Sequence, residues 1–71
     1  MTGAEFLRRL QRLGKQRGVT VRFVAERGKG SHGTVYFGLR FAVLKDRTTE
    51  LSPGLLGAML KQLGLDRRDL R

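Results

Sequence analysis

Residues 19–44 read VTVRFVAERGKGSHGTVYFGLRFAVL, and the way apolar and polar positions alternate along them decides the fold. Val19, Val21, Phe23 and Ala25 alternate with Thr20, Arg22, Val24 and Glu26, the period-two pattern of a half-buried strand over Val19 to Glu26. Arg27 to Gly33 follows with three glycines in seven residues, which rules out a regular element and makes a loop whose backbone can approach a ligand closely. Thr34 to Phe37 and Leu39 to Leu44 are again rich in strand-forming residues, and Gly38 between them marks a tight hairpin.

Helical signals flank this block on both sides. Thr2-Gly3-Ala4-Glu5 has the form of a capping box, and Phe6, Leu7, Leu10 and Leu13 follow at helical spacing. Gly14 is the expected stop of this first helix, with Arg8, Arg9, Arg12 and Lys15 forming a basic outer face. Lys45 to Leu51 is polar and reads as a loop. Ser52-Pro53 then supplies an N-cap followed by proline at the first helical position. Leu55, Leu56, Met59, Leu60 and Leu63 mark the apolar face of this second helix, Gly64 its stop, and Leu65 the hydrophobic contact of a Schellman end. Asp66 to Asp69 reads as a short turn or a fraying end. The expectation is one α+β domain over residues 1–71, in the order α-β-β-β-α, with an antiparallel three-stranded meander covered on one face by both helices. Its other face is left to solvent or ligand.

A chain of 71 residues sits near the lower limit for unaided folding, so the core has to come from packing of the phenylalanines, leucines and valines. There is no cysteine to form a disulfide, and one histidine supplies too few ligands for zinc. No run approaches the roughly 20 apolar residues of a membrane span, and the N-terminus lacks the pattern of a signal peptide; a cytosolic protein is expected. Fifteen Lys and Arg against six Asp and Glu give a net charge of +9, a field that favours polyanions and makes nucleic acid the leading partner class. Gly28-Lys29-Gly30-Ser31 is not a phosphate-binding P-loop, because it lies between two strands and lacks both the spacing and the helix such a loop opens.

Several residues together resemble HicA toxins over most of the chain. They are Gly30-Ser31-His32 at the start of the second strand, Tyr36 four residues on, the stretch Glu50-Leu51-Ser52-Pro53-Gly54-Leu55-Leu56, and Leu60-Lys61-Gln62-Leu63-Gly64-Leu65 in the last helix. HicA-family proteins are small ribonucleases of bacterial toxin–antitoxin pairs, with a fold like the double-stranded RNA-binding domain and a catalytic histidine in the Gly-Ser-His segment. The resemblance implies that His32 is catalytic, that messenger RNA is the substrate, that no metal or cofactor takes part, and that an antitoxin of HicB type is the protein partner. The chain departs from the family's usual pattern in having Gly33 after the histidine, Gly38 at the hairpin and Val43-Leu44 ending the third strand.

Metal-free RNA cleavage uses the 2′-hydroxyl as internal nucleophile and needs a base for its proton, an acid for the leaving 5′-oxygen, and cations for the phosphorane. Histidine suits the first two roles because both its protonation states are populated near neutrality. Lys29, Ser31 and Arg27 on the loop, and Arg22, Arg40 and Tyr36 on the strands, are the candidates to hold RNA. Tyr36 shares the face of His32 if the strand is regular from its start. A second acid or base is not identifiable from the sequence. Two other readings stand beside the ribonuclease: a non-catalytic double-stranded RNA-binding module of the same fold, and a subunit whose basic surface docks an acidic protein.

Overall fold

A computed structural model describes residues 1–28, 30 and 32–70. The first helix, α1, spans Gly3–Arg17, with the Thr2 hydroxyl accepting from the Glu5 N–H at 3.2 Å as its N-cap. Its other early donors go to the loop that precedes the second helix. The Gly3 N–H donates to the Thr49 carbonyl and the Ala4 N–H to the Arg47 carbonyl. A side chain at residue 3 would collide with that loop, because a Cβ there would lie 2.5 Å from the Asp46 carbonyl oxygen.

The helix does not stop at Gly14. It runs one further turn to Arg17 and ends at Gly18, whose φ of 67° is the left-handed conformation a helix-terminating residue needs. Gly14 is instead a packing glycine: a Cβ on it would sit 2.5 Å from Val21 Cγ2 and 2.6 Å from the Val19 carbonyl oxygen. The absence of a side chain lets the chain fold back at Gly18 and lie directly against the helix.

The three strands are β1 (Val21–Ala25), β2 (Gly33–Phe37) and β3 (Arg40–Leu44), antiparallel in the order β1-β2-β3. A two-residue turn joins β2 to β3. Gly38, with φ 64°, takes the first central position and Leu39 the second, the type II′ arrangement that matches strand twist. The register pairs Val21 with Phe37, Phe23 with Val35 and Ala25 with Gly33, and on the other side Val35 with Ala42 and Gly33 with Leu44. All these side chains fall on one face, the face that α1 and the second helix, α2 (Pro53–Gln62), cover.

The core is built from Phe6, Leu10 and Leu13 of α1, Val35, Phe37, Ala42 and Leu44 of the sheet, Leu51, and Leu56, Met59, Leu60 and Leu63 at α2. Leu55 is the one leucine of the expected α2 stripe that stays exposed. Phe41, Val24 and Val43 also lie outside the core, because the register turns them to the uncovered side of the sheet. The second helix begins as the sequence predicts, with the Ser52 hydroxyl accepting from Leu55 N–H and Pro53 in the first turn. It ends in a full Schellman motif, with Leu65 N–H donating to Leu60 and Gly64 N–H to Lys61. No described helix is long and apolar enough to cross a membrane.

Residues 67–70 dock against α1 rather than fray. A short 3-10 helix over Arg67–Leu70 buries Leu70, and Asp69 pairs with Arg17 at the end of α1. The Asp66 N–H donates to the Asp69 carboxylate at 2.8 Å, and with Arg17 it holds that carboxyl below its ordinary value of 3.8. A carboxyl lowered in the folded state contributes stability that is present above 3.8 and lost as the pH falls through the lowered value. An NMR titration should therefore find Asp69 ionising below 3.8, and a midpoint at or above it would contradict the docking.

Gly14→Ala separates helix propensity from packing. Propensity alone favours alanine by up to about 1 kcal/mol, whereas overpacking a close contact costs about 1–3 kcal/mol. The contacts at Val19 and Val21 favour the second term, so the urea midpoint should fall. A raised midpoint would show that the helix does not press on β1 at this point.

Candidate nucleic-acid site

The pairing of β1 with β2 continues past the formal strand ends, and this continuation builds the site. Glu26 N–H donates to the His32 carbonyl and Gly38 N–H to the Thr20 carbonyl, each at 2.8 Å. Antiparallel pairs alternate between bonded and non-bonded, so Arg22–Tyr36 and Val24–Thr34 are bonded pairs of the same series. Their side chains share one face, opposite the helices. His32 and Glu26 extend that face at one end, where a bonded pair sets their side chains next to each other.

The result is a contact between His32 Nδ1 and Glu26 Oε2 at 3.3 Å, an ion pair whenever the imidazole is protonated. The His32 side chain is 27% exposed and that of Glu26 52%, so the imidazole is held at the surface and accessible. The contact sets a carboxylate beside the Nδ1 edge of the ring, and Nε2 is the nitrogen on the side away from Glu26. Glu26 was not among the residues singled out from the sequence. Its signal was present, since it flanks the glycine loop opposite His32, but it becomes meaningful only once the register is known.

Of the other candidates, Arg22 and Tyr36 come together. The Arg22 guanidinium lies 5.2 Å from the centre of the Tyr36 ring. Four strand residues at about 3.3 Å each place Tyr36 roughly 13 Å from His32 along the same face. That distance makes Tyr36 a neighbour in the groove and not a proton partner for His32.

Arg40 goes elsewhere. It pairs with Phe37 at the hairpin end of the sheet, and its guanidinium packs over Gly64, with Nε 2.9 Å from where a Cβ on that glycine would be. Arg27 is exposed on the loop, between Glu26 and Gly28. Lys29 and Ser31 lie outside the described residues. Lys45, exposed directly after Leu44, stands at the His32 end of the sheet, because Leu44 is the partner of Gly33.

Gly33 is fixed by packing on the covered face. A Cβ there would lie 2.5 Å from the Val24 carbonyl oxygen and 2.6 Å from the Phe23 ring. The Phe23 ring in turn carries the Arg47 guanidinium, 4.7 Å from its centre. The residue after the histidine is therefore small because Phe23 fills the space a larger side chain would take.

Among the described residues no group of three or more His, Asp or Glu side chains is placed to hold a metal ion. A groove of about 510 Å³ runs between β3 and α2 and is lined by Leu39, Phe41, Val43, Leu55 and Met59, with Arg40 the one charged side chain. It offers no acid or base. The proton chemistry this end of the sheet offers is that of His32 beside Glu26, with Lys45 following the end of β3 and Arg27 following Glu26 in the loop.

Glu26→Ala should release the imidazole. In nitrogen-15 spectra of the unaltered chain, neutral His32 is expected to carry its proton on Nδ1, and the variant should lose that preference with the fold intact. The same tautomer ratio in both proteins would show that Glu26 does not orient the ring. Compared with protein-family models, characterised proteins and solved structures, the chain matches none.

Proposed function

We propose that this chain is a metal-independent endoribonuclease of the toxin–antitoxin type, with His32 as the residue that moves protons at the scissile ribose-phosphate. The observation that carries the reading is the His32–Glu26 pair, a surface imidazole 3.3 Å from a carboxylate at the end of an uncovered sheet face. The net charge of +9 supplies the attraction for RNA. The resemblance of the Gly30-Ser31-His32 segment, Tyr36 and the last helix to HicA toxins supplies messenger RNA as substrate, the cytoplasm as the place of action, and an antitoxin of HicB type as the partner that holds the activity in check.

In the proposed reaction the 2′-oxygen attacks the adjacent phosphorus and gives up its proton, and the bond from phosphorus to the 5′-oxygen breaks. The products are a 2′,3′-cyclic phosphate and a free 5′-hydroxyl. His32 Nε2 is the group to take the first proton or donate the second, Glu26 holds the ring, and Arg27 and Lys45 offset the charge that grows on phosphorus. With one histidine at the site the enzyme is expected to be slow.

The alternative is a non-catalytic duplex-binding module. Such modules place basic residues at helix ends against phosphates, and α2 here carries Lys61 alone. His32→Ala separates the two readings. Cleavage should fall by about 10²- to 10⁴-fold, the usual contribution of a general acid or base, while circular dichroism and RNA binding persist. Undiminished cleavage by a folded variant would overturn the assignment, and full activity in EDTA is expected of the unaltered chain.

A further inference from the structure

We propose that Tyr36 and Phe41 form a stacking platform for unpaired nucleobases, so that RNA is held on the open sheet face as a single strand leading to His32. The inference rests on the reading of the chain as one that acts on RNA, but not on catalysis by His32. Tyr36 and Phe41 are cross-strand partners in a non-bonded pair, the kind that brings side chains closest. Their ring centres are 6.0 Å apart with the planes tilted by 45°. Phe41 is 58% exposed, although an aromatic ring gains more from burial than almost any other side chain.

The surroundings favour a nucleic acid as the occupant over an apolar protein. Arg22 stands over the Tyr36 ring and brings a positive charge within reach of a phosphate. The one acid on this face, Glu26, is engaged with His32. Val24, Thr34 and Val43 complete the floor and carry no charge. A face with aromatic rings, a flanking guanidinium and no unpaired acid complements a base with its phosphate.

Geometry then selects single-stranded RNA. Bases within a duplex keep their faces stacked on each other, whereas unpaired bases can lie on aromatic side chains. Tyr36 lies about 13 Å from His32, so the platform holds a nucleotide flanking the cut and not the one whose phosphate reacts.

The test uses the full chain carrying His32→Ala, so that RNA survives the measurement. Tyr36 is the sole tyrosine, which makes its ring signals self-assigning in an NMR spectrum. Titration with a single-stranded oligouridylate should move the Tyr36 and Phe41 ring protons upfield, and a duplex of equal length should not. Phe41→Leu and Tyr36→Leu should each weaken single-strand binding by about 5- to 150-fold and leave duplex binding unchanged. Amide spectra confirm that the variants fold, and Phe41→Leu alters an exposed side chain.

Equal ring shifts with duplex, unchanged affinity in both variants, no oligonucleotide binding at low salt, or ring shifts that follow protein concentration alone would each overturn the platform. The last of these would assign the face to self-association. Absent ring shifts with cleavage by the unaltered chain intact would remove the platform and leave the ribonuclease. Ring shifts without any cleavage would do the reverse.

Discussion

The pairing register between β1 and β2 is the constraint on which the rest of this structure depends. It sets Phe23 on Val35 and Val21 on Phe37 beneath the helices, and by the same alternation it sets Arg22 beside Tyr36 and Glu26 beside His32 on the opposite face. A slip of one residue would exchange the faces, exposing the core row and burying an arginine. The hydrophobic requirement of the core therefore fixes the geometry of the polar face, and the His32–Glu26 contact follows from packing some distance away.

Glycines make that register possible by letting backbones approach. Gly14 allows the start of β1 to lie on α1, Gly3 admits the loop that follows β3, and Gly33 gives its space to the Phe23 ring. Arg47 from the same loop covers Phe23, so packing under the base of the glycine loop links α1, β1 and the segment before α2. Charge is arranged in a similar way. Glu5 pairs with Arg9, Glu26 with His32, Glu50 with the terminal amine, Asp66 with Arg68 and Asp69 with Arg17, while Asp46 accepts from Thr48. With all six acids engaged locally, the excess of arginine and lysine dominates the field at the surface.

The features legible in the sequence are those set by neighbours along the chain. The Thr2 cap, the Ser52-Pro53 start and the Schellman end at Gly64 and Leu65 are each settled within about six residues, and the strand order follows from local alternation. Gly14 reads as a helix stop until Val19 and Val21 are brought against it, because its role is tertiary. β3 is apolar on both faces through Phe41, Ala42, Val43 and Leu44, so alternation alone does not say which row is covered. Glu26 shows in the sequence only as the residue that precedes the glycine loop. Its contact with His32 spans the glycine loop and emerges from the register, as does the separation of Arg40 from the residues it was grouped with.

The ends of cleaved RNA test the central claim, proton transfer by His32 at a ribose-phosphate, most directly. When the unaltered chain is incubated with single-stranded RNA in EDTA, the fragments should carry 2′,3′-cyclic phosphate or its hydrolysed 2′- or 3′-phosphate on one side of the cut and 5′-hydroxyl on the other. Fragments with 3′-hydroxyl and 5′-phosphate ends, or RNA left intact, would contradict it.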